Sequence, residues 1–502
     1  MSEQSVIIIG AGLAGLAAGC YAQMNGYQSH IFEHHSQPGG VAAAWRRGDY
    51  WIDGGIHFVM GHKPGTALHA MYRQLGVVPA VRFVDLTGYG RFTDEASGRS
   101  VEVGHDLDRL AADLKALFPD DARLVDELIA GSRAMQGLDL STAGLGKPPE
   151  LVGRLEQLKE LWSMRRLMRF MFGKYAQPVS RYARAAHDPM FKSLLESLFL
   201  PSSPVFFIFM LLGMAADGQL GLIDGTCLDL VRAIERRYTD LGGQVTYRST
   251  VEEILVENDR AVGVRLADGK EHRAGAVIAA CDGRNAIFQM LGGRYTTAQI
   301  VERYQTWPTF APLLMVSYGV AREFPGEPAF GTVALEQPLI VGRQEVDGFF
   351  IRRFNYSRRF APPGKSVIQV EFETTWDHWN DLQRQDRAAY DAEKQRVAAE
   401  VLGRLERYYP GLSSLVEVTD VSTPYTTWRY TLNHEGAWEG WLMTAKTMTT
   451  TVERMLPGLA DFYMAGQWVM PGGGVPPVLY SGQHAVQLLC RRDGNPFVAA
   501  AS

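Results

Sequence analysis

The sequence predicts an α/β protein: a Rossmann-like unit at its start, a second glycine-rich turn near its end, and an α+β insertion between them. Three observations carry this. The stretch VIIIGAGLAGLAAGCYAQMNGYQSHIFEHHSQPGG (6–40) sets an apolar run, three spaced glycines and a late acidic residue in one register. Residues 227–283 read as a helix, a Gly242-Gly243 stop and short alternating runs broken by turn signals. The segment FYMAGQWVMPGGGVPPVLYSGQHAVQLLCRRDG (462–494) reads as strand, glycine turn and helix.

The elements follow in chain order. Val6–Ile9 is a β-branched run suited to a strand buried on both faces. Gly10, Gly12 and Gly15 fit G-x-G-x-x-G: a tight turn, a close backbone approach to pyrophosphate, and a helix packed on a strand. The helix expected over 13–24 points free N–H groups and the positive end of its dipole at phosphate. A second strand over 28–32 ends at Glu33, about 20 residues past the glycines, where a carboxylate can accept ribose hydroxyls. The pattern is that of a dinucleotide site.

Further on, a helix over 228–241 precedes runs at 244–248, 251–257, 261–266 and 276–280, read as a β-meander with turns at Asn258-Asp259 and Asp268-Gly269. The closing helix is expected over 476–491. Residues 105–220 are helical in pattern and rich in Met, Phe and Leu. Residues 295–430 mix strand-like runs (313–318, 348–355, 366–373) with a helix over 387–408 stopped by Pro410-Gly411. The expected organisation is therefore a discontinuous nucleotide domain (1–104, 219–292, 431–502) and an inserted substrate or capping domain (105–218, 293–430).

Composition narrows the function. A net charge of −5 over 502 residues disfavours a nucleic-acid binder. Cys20, Cys227, Cys281 and Cys490 are scattered, with no C-x-x-C, which suits a reducing compartment and buried thiols. The twelve histidines show no metal spacing, and G-x-S-x-G and H-E-x-x-H are absent, so neither a metal site nor a hydrolytic centre is expected. Residues 1–5 are too short for a secretory leader, and the expected location is the cytoplasm. The apolar run PVFFIFMLLGMAA (204–216) falls short of a membrane span and reads as a core helix or a cavity wall. LWSMRRLMRFMFGKY (161–175) combines basic and aromatic residues. It reads either as a helix seated peripherally on the inner face of the membrane or as a capping helix with a solvated basic side.

Four segments match a known family: the opening unit through Glu33 and Gly39-Gly40, Asp53-Gly54-Gly55-Ile56-His57, LGGQVTYRSTVEEI, and AGQWVMPGGGVPPVLYSG. The chain resembles the FAD-dependent phytoene desaturase, carotenoid isomerase and retinol saturase group, with amine oxidases and protoporphyrinogen oxidases as wider relatives. The resemblance implies a glutathione reductase-type FAD domain (βαβ plus β-meander) and FAD as cofactor. It implies that Gly10, Gly12, Ala14 and Gly15 hold the pyrophosphate and Glu33 the adenosine ribose. Gly40 and Arg46 would lie along the phosphates and ribityl chain, Gly54 and Gly55 near the flavin, and Val251 at the adenine. Gly466, Gln467, Gly473, Gly474 and Val475 would lie at the ribityl and ring end. Two departures stand out: Gln467 replaces the aspartate common in the wider superfamily, and Leu222-Ile223-Asp224-Gly225-Thr226 replaces a Pro-x-Gly-Gly turn.

The implied activity is desaturation, saturation or cis–trans isomerisation of carbon–carbon bonds in an apolar isoprenoid or polyene such as a carotenoid. The alternatives are an amine-oxidase- or protoporphyrinogen-oxidase-like oxidase, and a non-catalytic prenyl-binding escort of the same fold. The flavin carries the chemistry in such enzymes, and the protein supplies position and dryness. His57 and His62 are the candidate polar groups at its face, against a reading of each as a structural histidine. Phe206, Phe207, Met210, Trp428, Tyr430 and Trp441 are candidate substrate-lining residues, against ordinary core. No second dinucleotide fingerprint follows the first, so oxygen or a quinone is the expected electron acceptor rather than a bound nicotinamide.

Overall fold

A computed structural model describes residues 4–138 and 145–499. Its nucleotide domain is built on a five-stranded, all-parallel sheet in the order Gln244–Thr246, Gln28–Phe32, Ser5–Ile9, Ala276–Ala279, Phe462–Met464. The central strand Ser5–Ile9 aligns Val6–Ile9 with Ala276–Ala279 on one side and Ser29–Phe32 on the other. That double pairing is why its run is apolar without alternation. The helices Leu13–Met24, Cys227–Asp240 and Val475–Arg492 share one core with this sheet. Two of the four runs expected in the meander, at 244–248 and 276–280, instead join the parallel sheet. The meander consists of Val251–Glu257, Arg260–Leu266 and Glu271–Arg273, antiparallel.

The second domain is a seven-stranded sheet in the order Val416–Ser422, Leu313–Val320, Ser366–Glu373, Gln344–Arg353, Phe330–Val341, Gly88–Asp94, Arg99–Gly104. Helices Trp376–Gln385 and Arg387–Tyr408 cover one face through Trp379, Tyr390, Val397, Val401 and Leu405. A helical cluster built from Leu107–Leu117, Ala122–Ala134, Pro189–Leu198 and Phe206–Ala216 forms a separate apolar core.

Strand pairing moves two expected domain boundaries. The hairpin Gly88–Gly104, assigned above to the nucleotide domain, pairs in parallel with Gly331–Ala334 and belongs to the second sheet. The helix Ala298–Thr306 and Trp307, assigned to the insertion, pack through Ile300, Tyr304 and Trp307 against Val277, Ala279 and Trp468 of the nucleotide domain. Both contacts are invisible to local periodicity, which identifies a strand or helix but not the distant partner that buries it.

All four cysteines are free, and three of them are buried. Among the described residues no helix is long and apolar enough to cross a membrane, and no cluster of His, Cys, Asp or Glu is arranged to hold a metal.

Candidate functional site

The opening turn divides its glycines by task. Gly10 takes φ +99°, and a Cβ there would lie 2.9 Å from the carbonyl oxygen of Ala280. A Cβ on Gly15 would lie 2.0 Å from the Gly10 carbonyl oxygen, so the helix rests directly on the turn. Gly12 differs, because nothing lies within 4 Å of its would-be Cβ. It caps the helix Leu13–Met24 in extended backbone with no side-chain cap, leaving first-turn N–H groups free. Gly39 and Gly40 close over it: Gly39 N–H donates to Ala11 O at 2.9 Å, and a Cβ on Gly40 would sit 3.6 Å from Gly12 Cα.

Glu33 is buried, and both its oxygens are engaged by backbone. Oε2 accepts from Ala11 N–H at 2.6 Å and Oε1 from His35 N–H at 2.7 Å. Burial pushes its carboxyl up, while those two N–H groups pull it back down. Ser249 N–H donates to Glu33 O, which brings the buried Val251 at the head of the meander beside the acidic residue. Arg46 is exposed and stacks over Trp51, 5.6 Å from the ring centroid.

The chain's end meets its beginning here. Gly466, at φ +103°, would place a Cβ 3.6 Å from Ala14 Cβ, and one on Gly482 would fall 2.4 Å from Ala14 O. The helix Val475–Arg492 starts at Gly474, where again nothing lies within 4 Å of a built Cβ. Gln467 follows Gly466 half-buried, with Gly440 against its backbone. The carboxylate of Glu439 lies against Gly473, and burial, opposed only by the Gly474 N–H, pushes it up to about 8. Two uncapped helix N-termini, an acid at the end of the second strand, and glycines open to space fit a dinucleotide laid from Glu33 past Gly12 toward Gly474. Gly54 and Gly55 are small for a further reason. Side chains there would strike the Trp45 ring at 2.7 Å, and Ala42 Cα and Cys227 Sγ at 2.9 Å.

His57 lies between rings, 5.1 Å from Trp438 and 5.4 Å from Phe350. Its Nε2 is 2.6 Å from Glu371 Oε2. Glu371 Oε1 accepts from the fully buried Arg352 at 3.1 Å, and Arg352 also reaches Gln369, the carbonyls of Asp53 and Ile56, and the Asp53 carboxylate at 3.6 Å. Asp53 in turn accepts from Cys227 N–H at 2.6 Å and Gly55 N–H at 3.1 Å. Burial raises the Glu371 carboxyl, but the His57 ring when protonated and the Arg352 guanidinium outweigh it and hold the group at about 2. Sequence reasoning missed Glu371, Arg352, Asp53 and Glu439. A signal exists for the first: in Ser366–Glu373, buried from Ser366 to Phe372, Gln369 and Glu371 fall on one face and Ile368, Val370 and Phe372 on the other.

His62 does not join this group. Its Nε2 meets Asp85 at 2.8 Å in the small sheet that Val59–Met60 and Phe83–Asp85 form with Leu220–Ile223, and its ring fills the space beside Gly221. Trp441 sits in the core, with Nε1 donating to Trp468 O at 2.9 Å and its ring set edge-on to Tyr304 and Trp468. Tyr430 is 42% exposed and packs on His35, next to Glu33, so it flanks the nucleotide cradle rather than a substrate wall. Trp428 packs with Tyr425 and Trp376. Phe206 and Met210 are buried in the helical core and Phe207 is half-buried on it, together with Phe58, Tyr89, Phe350 and Met448. Phe58 follows His57 directly, so this apolar surface adjoins the His57 cluster.

Comparison with known proteins decides the family. The model of the flavin containing amine oxidoreductases matches residues 13–490. The chain belongs to that family. Its cofactor is FAD, and the cradle described above is where the chain's own residues fit it. Similar proteins include a chloroplastic prolycopene isomerase of Arabidopsis thaliana, 24% identical over 96% of this chain and 82% of that protein. Another is a lycopene-forming phytoene desaturase of Pseudescherichia vulneris, 24% identical over 97% and 99%. Among solved structures, cyclohexylamine oxidase from Brevibacterium oxydans superposes at TM-score 0.63 with 14% identity over 98% of this chain and all of the other, a likeness of fold.

Proposed function

We propose that this flavoprotein acts on carbon–carbon bonds of an apolar isoprenoid or polyene of the carotenoid kind, by desaturation, saturation or cis–trans isomerisation. The observation that carries the reading is His57 set between the rings of Phe350 and Trp438, next in the chain to Phe58, with Phe58, Phe207, Phe350 and Met448 packed half-buried on the apolar helical core. A hydrocarbon chain has few polar handles and is recognised by such a surface, with one polar cluster at the reacting carbons. Prolycopene isomerases and phytoene desaturases among the relatives support it. FAD supplies two-electron chemistry when bound. The chain's own residues bind it, exclude water, and present His57. Oxygen or a quinone is the proposed acceptor of any electrons released.

The substrate is lipid-soluble, and we place its entry at a membrane surface. The helix Arg154–Met171 and the residue after it expose Leu155 (78%), Trp162 (67%) and Phe172 (49%). Nearby in the chain, Arg169 lies over Phe170 and Lys174, paired with Glu127, lies over Tyr175. Apolar anchors flanked by cations suit an anionic lipid face. The side chains of Met164, Arg165 and Arg166 lie outside those described.

The test is incubation of the flavin-loaded protein with isoprenoids in vesicles, followed by extraction. The reading predicts products altered in double-bond number or geometry. Inert isoprenoids together with amines that reduce the flavin would transfer the protein to the amine-oxidising reading.

A further inference from the structure

While the His57 ring is neutral, the cluster behind it is unbalanced in charge. Arg352 brings one positive charge, and Glu371 and Asp53 bring two negative ones, all three nearly excluded from water. The neighbouring titratable groups do not restore the balance: burial pushes both Tyr356 and Cys227 up, which keeps them neutral. Gln369 and Ser317, which complete the network, carry no charge. Buried charge left uncompensated is costly. A positive charge can approach by way of the His57 ring, whose side chain keeps 22% exposure. With Nε2 committed to Glu371, Nδ1 has no hydrogen-bond partner among the described residues. An Nε2–H donated to Glu371 makes Nδ1 the lone-pair nitrogen.

We propose that Glu371, backed by Arg352 and Asp53, orients His57 as a proton acceptor and stabilises positive charge on an isoprenoid carbon beside it. This rests on the reading of the site as an isoprenoid one. In desaturation, FAD held in the cradle would accept a hydride with its electron pair, and the substrate would be left a carbon cation. A C–H bond on the adjacent carbon then breaks, its proton goes to Nδ1, and its electrons become the new π bond. The negative cluster favours both the cation and the imidazolium that replaces it. His57 touches the substrate in this account. Glu371 acts through it, as a positioning and electrostatic residue.

The experiment compares two ligands of one shape: a long-chain isoprenoid ending in a quaternary ammonium, and its neutral tert-butyl counterpart. The ammonium carries a permanent charge and no proton to lose. Dissociation constants are read from tryptophan fluorescence of the flavin-loaded protein. Tighter binding of the ammonium, by about tenfold or more, is expected at the effective dielectric of such sites. In Glu371→Gln the ratio falls toward one, while in His57→Gln it persists and turnover of a true substrate drops by roughly 10²–10⁴. Equal affinities in the wild type overturn the proposal without any variant. An unchanged ratio in a folded Glu371→Gln protein also overturns it, since the preference would then come from the rings of Trp438 and Phe350. If neither ligand binds, the isoprenoid reading itself has failed, and the two failures are distinct.

Discussion

A Cβ on Gly12 would meet nothing within 4 Å beyond its chain neighbours and its own helix, whereas one on Gly15 would run into the Gly10 carbonyl oxygen at 2.0 Å. Both belong to the same motif, yet the constraint on one comes from the ligand and on the other from the fold. Gly12→Leu is therefore expected to fold with an unchanged thermal transition and to purify without flavin. Gly15→Leu is expected to fail in folding, read by circular dichroism and solubility. Glu33→Ala removes two charge-assisted backbone hydrogen bonds as well as the ribose partner. It should weaken FAD binding and lower the apoprotein's stability by about 1–3 kcal/mol, measured by denaturant melts. The motif residues were legible because spacing and local geometry are one and the same for them. Glu371 and Arg352 were not, because the partner of one at His57 and those of the other at Asp53 and Ile56 lie some three hundred positions away in the chain.

Long periodic elements were legible almost to the residue. The helix Arg387–Tyr408 ends where Pro410 and Gly411, at φ +82°, forbid its continuation. Phe330–Val341 was missed because Pro338 and the polar Glu336-Gln337 break its alternation, and the pairing shifts register between Ala334 and Leu339. The helix Cys227–Asp240 carries a capping box between Thr226 and Asp229, and Cys227 N–H is tied to Asp53. Thr226→Ala is expected to cost about 1 kcal/mol in a denaturant melt. If the helix Arg154–Met171 seats on a membrane as proposed, replacing Leu155, Trp162 and Phe172 together by Ser abolishes most binding to anionic vesicles in a flotation assay and leaves flavin content intact. Undiminished flotation would place lipid contact elsewhere.

At the scale of the molecule, two carboxyl groups set opposite limits on stability. Glu371 is held at about 2, below its ordinary 4.5, so the stability it lends is present above pH 4.5 and is lost as pH falls from there toward 2. Glu439 is raised to about 8, so the stability of the cofactor-free chain is full below 4.5 and is lost as pH rises through 8. Glu439→Gln should flatten the alkaline limb of a pH series of melting temperatures and leave the acid limb in place. The central claim is that the two ends of the chain close around one FAD, with Gly12 and Gly474 as the two open contacts. Flavin released per chain, measured by absorbance in the wild type, Gly12→Leu and Gly474→Leu, tests it most directly. One FAD in the wild type and almost none in either variant is the result predicted. Full occupancy in either variant would contradict it.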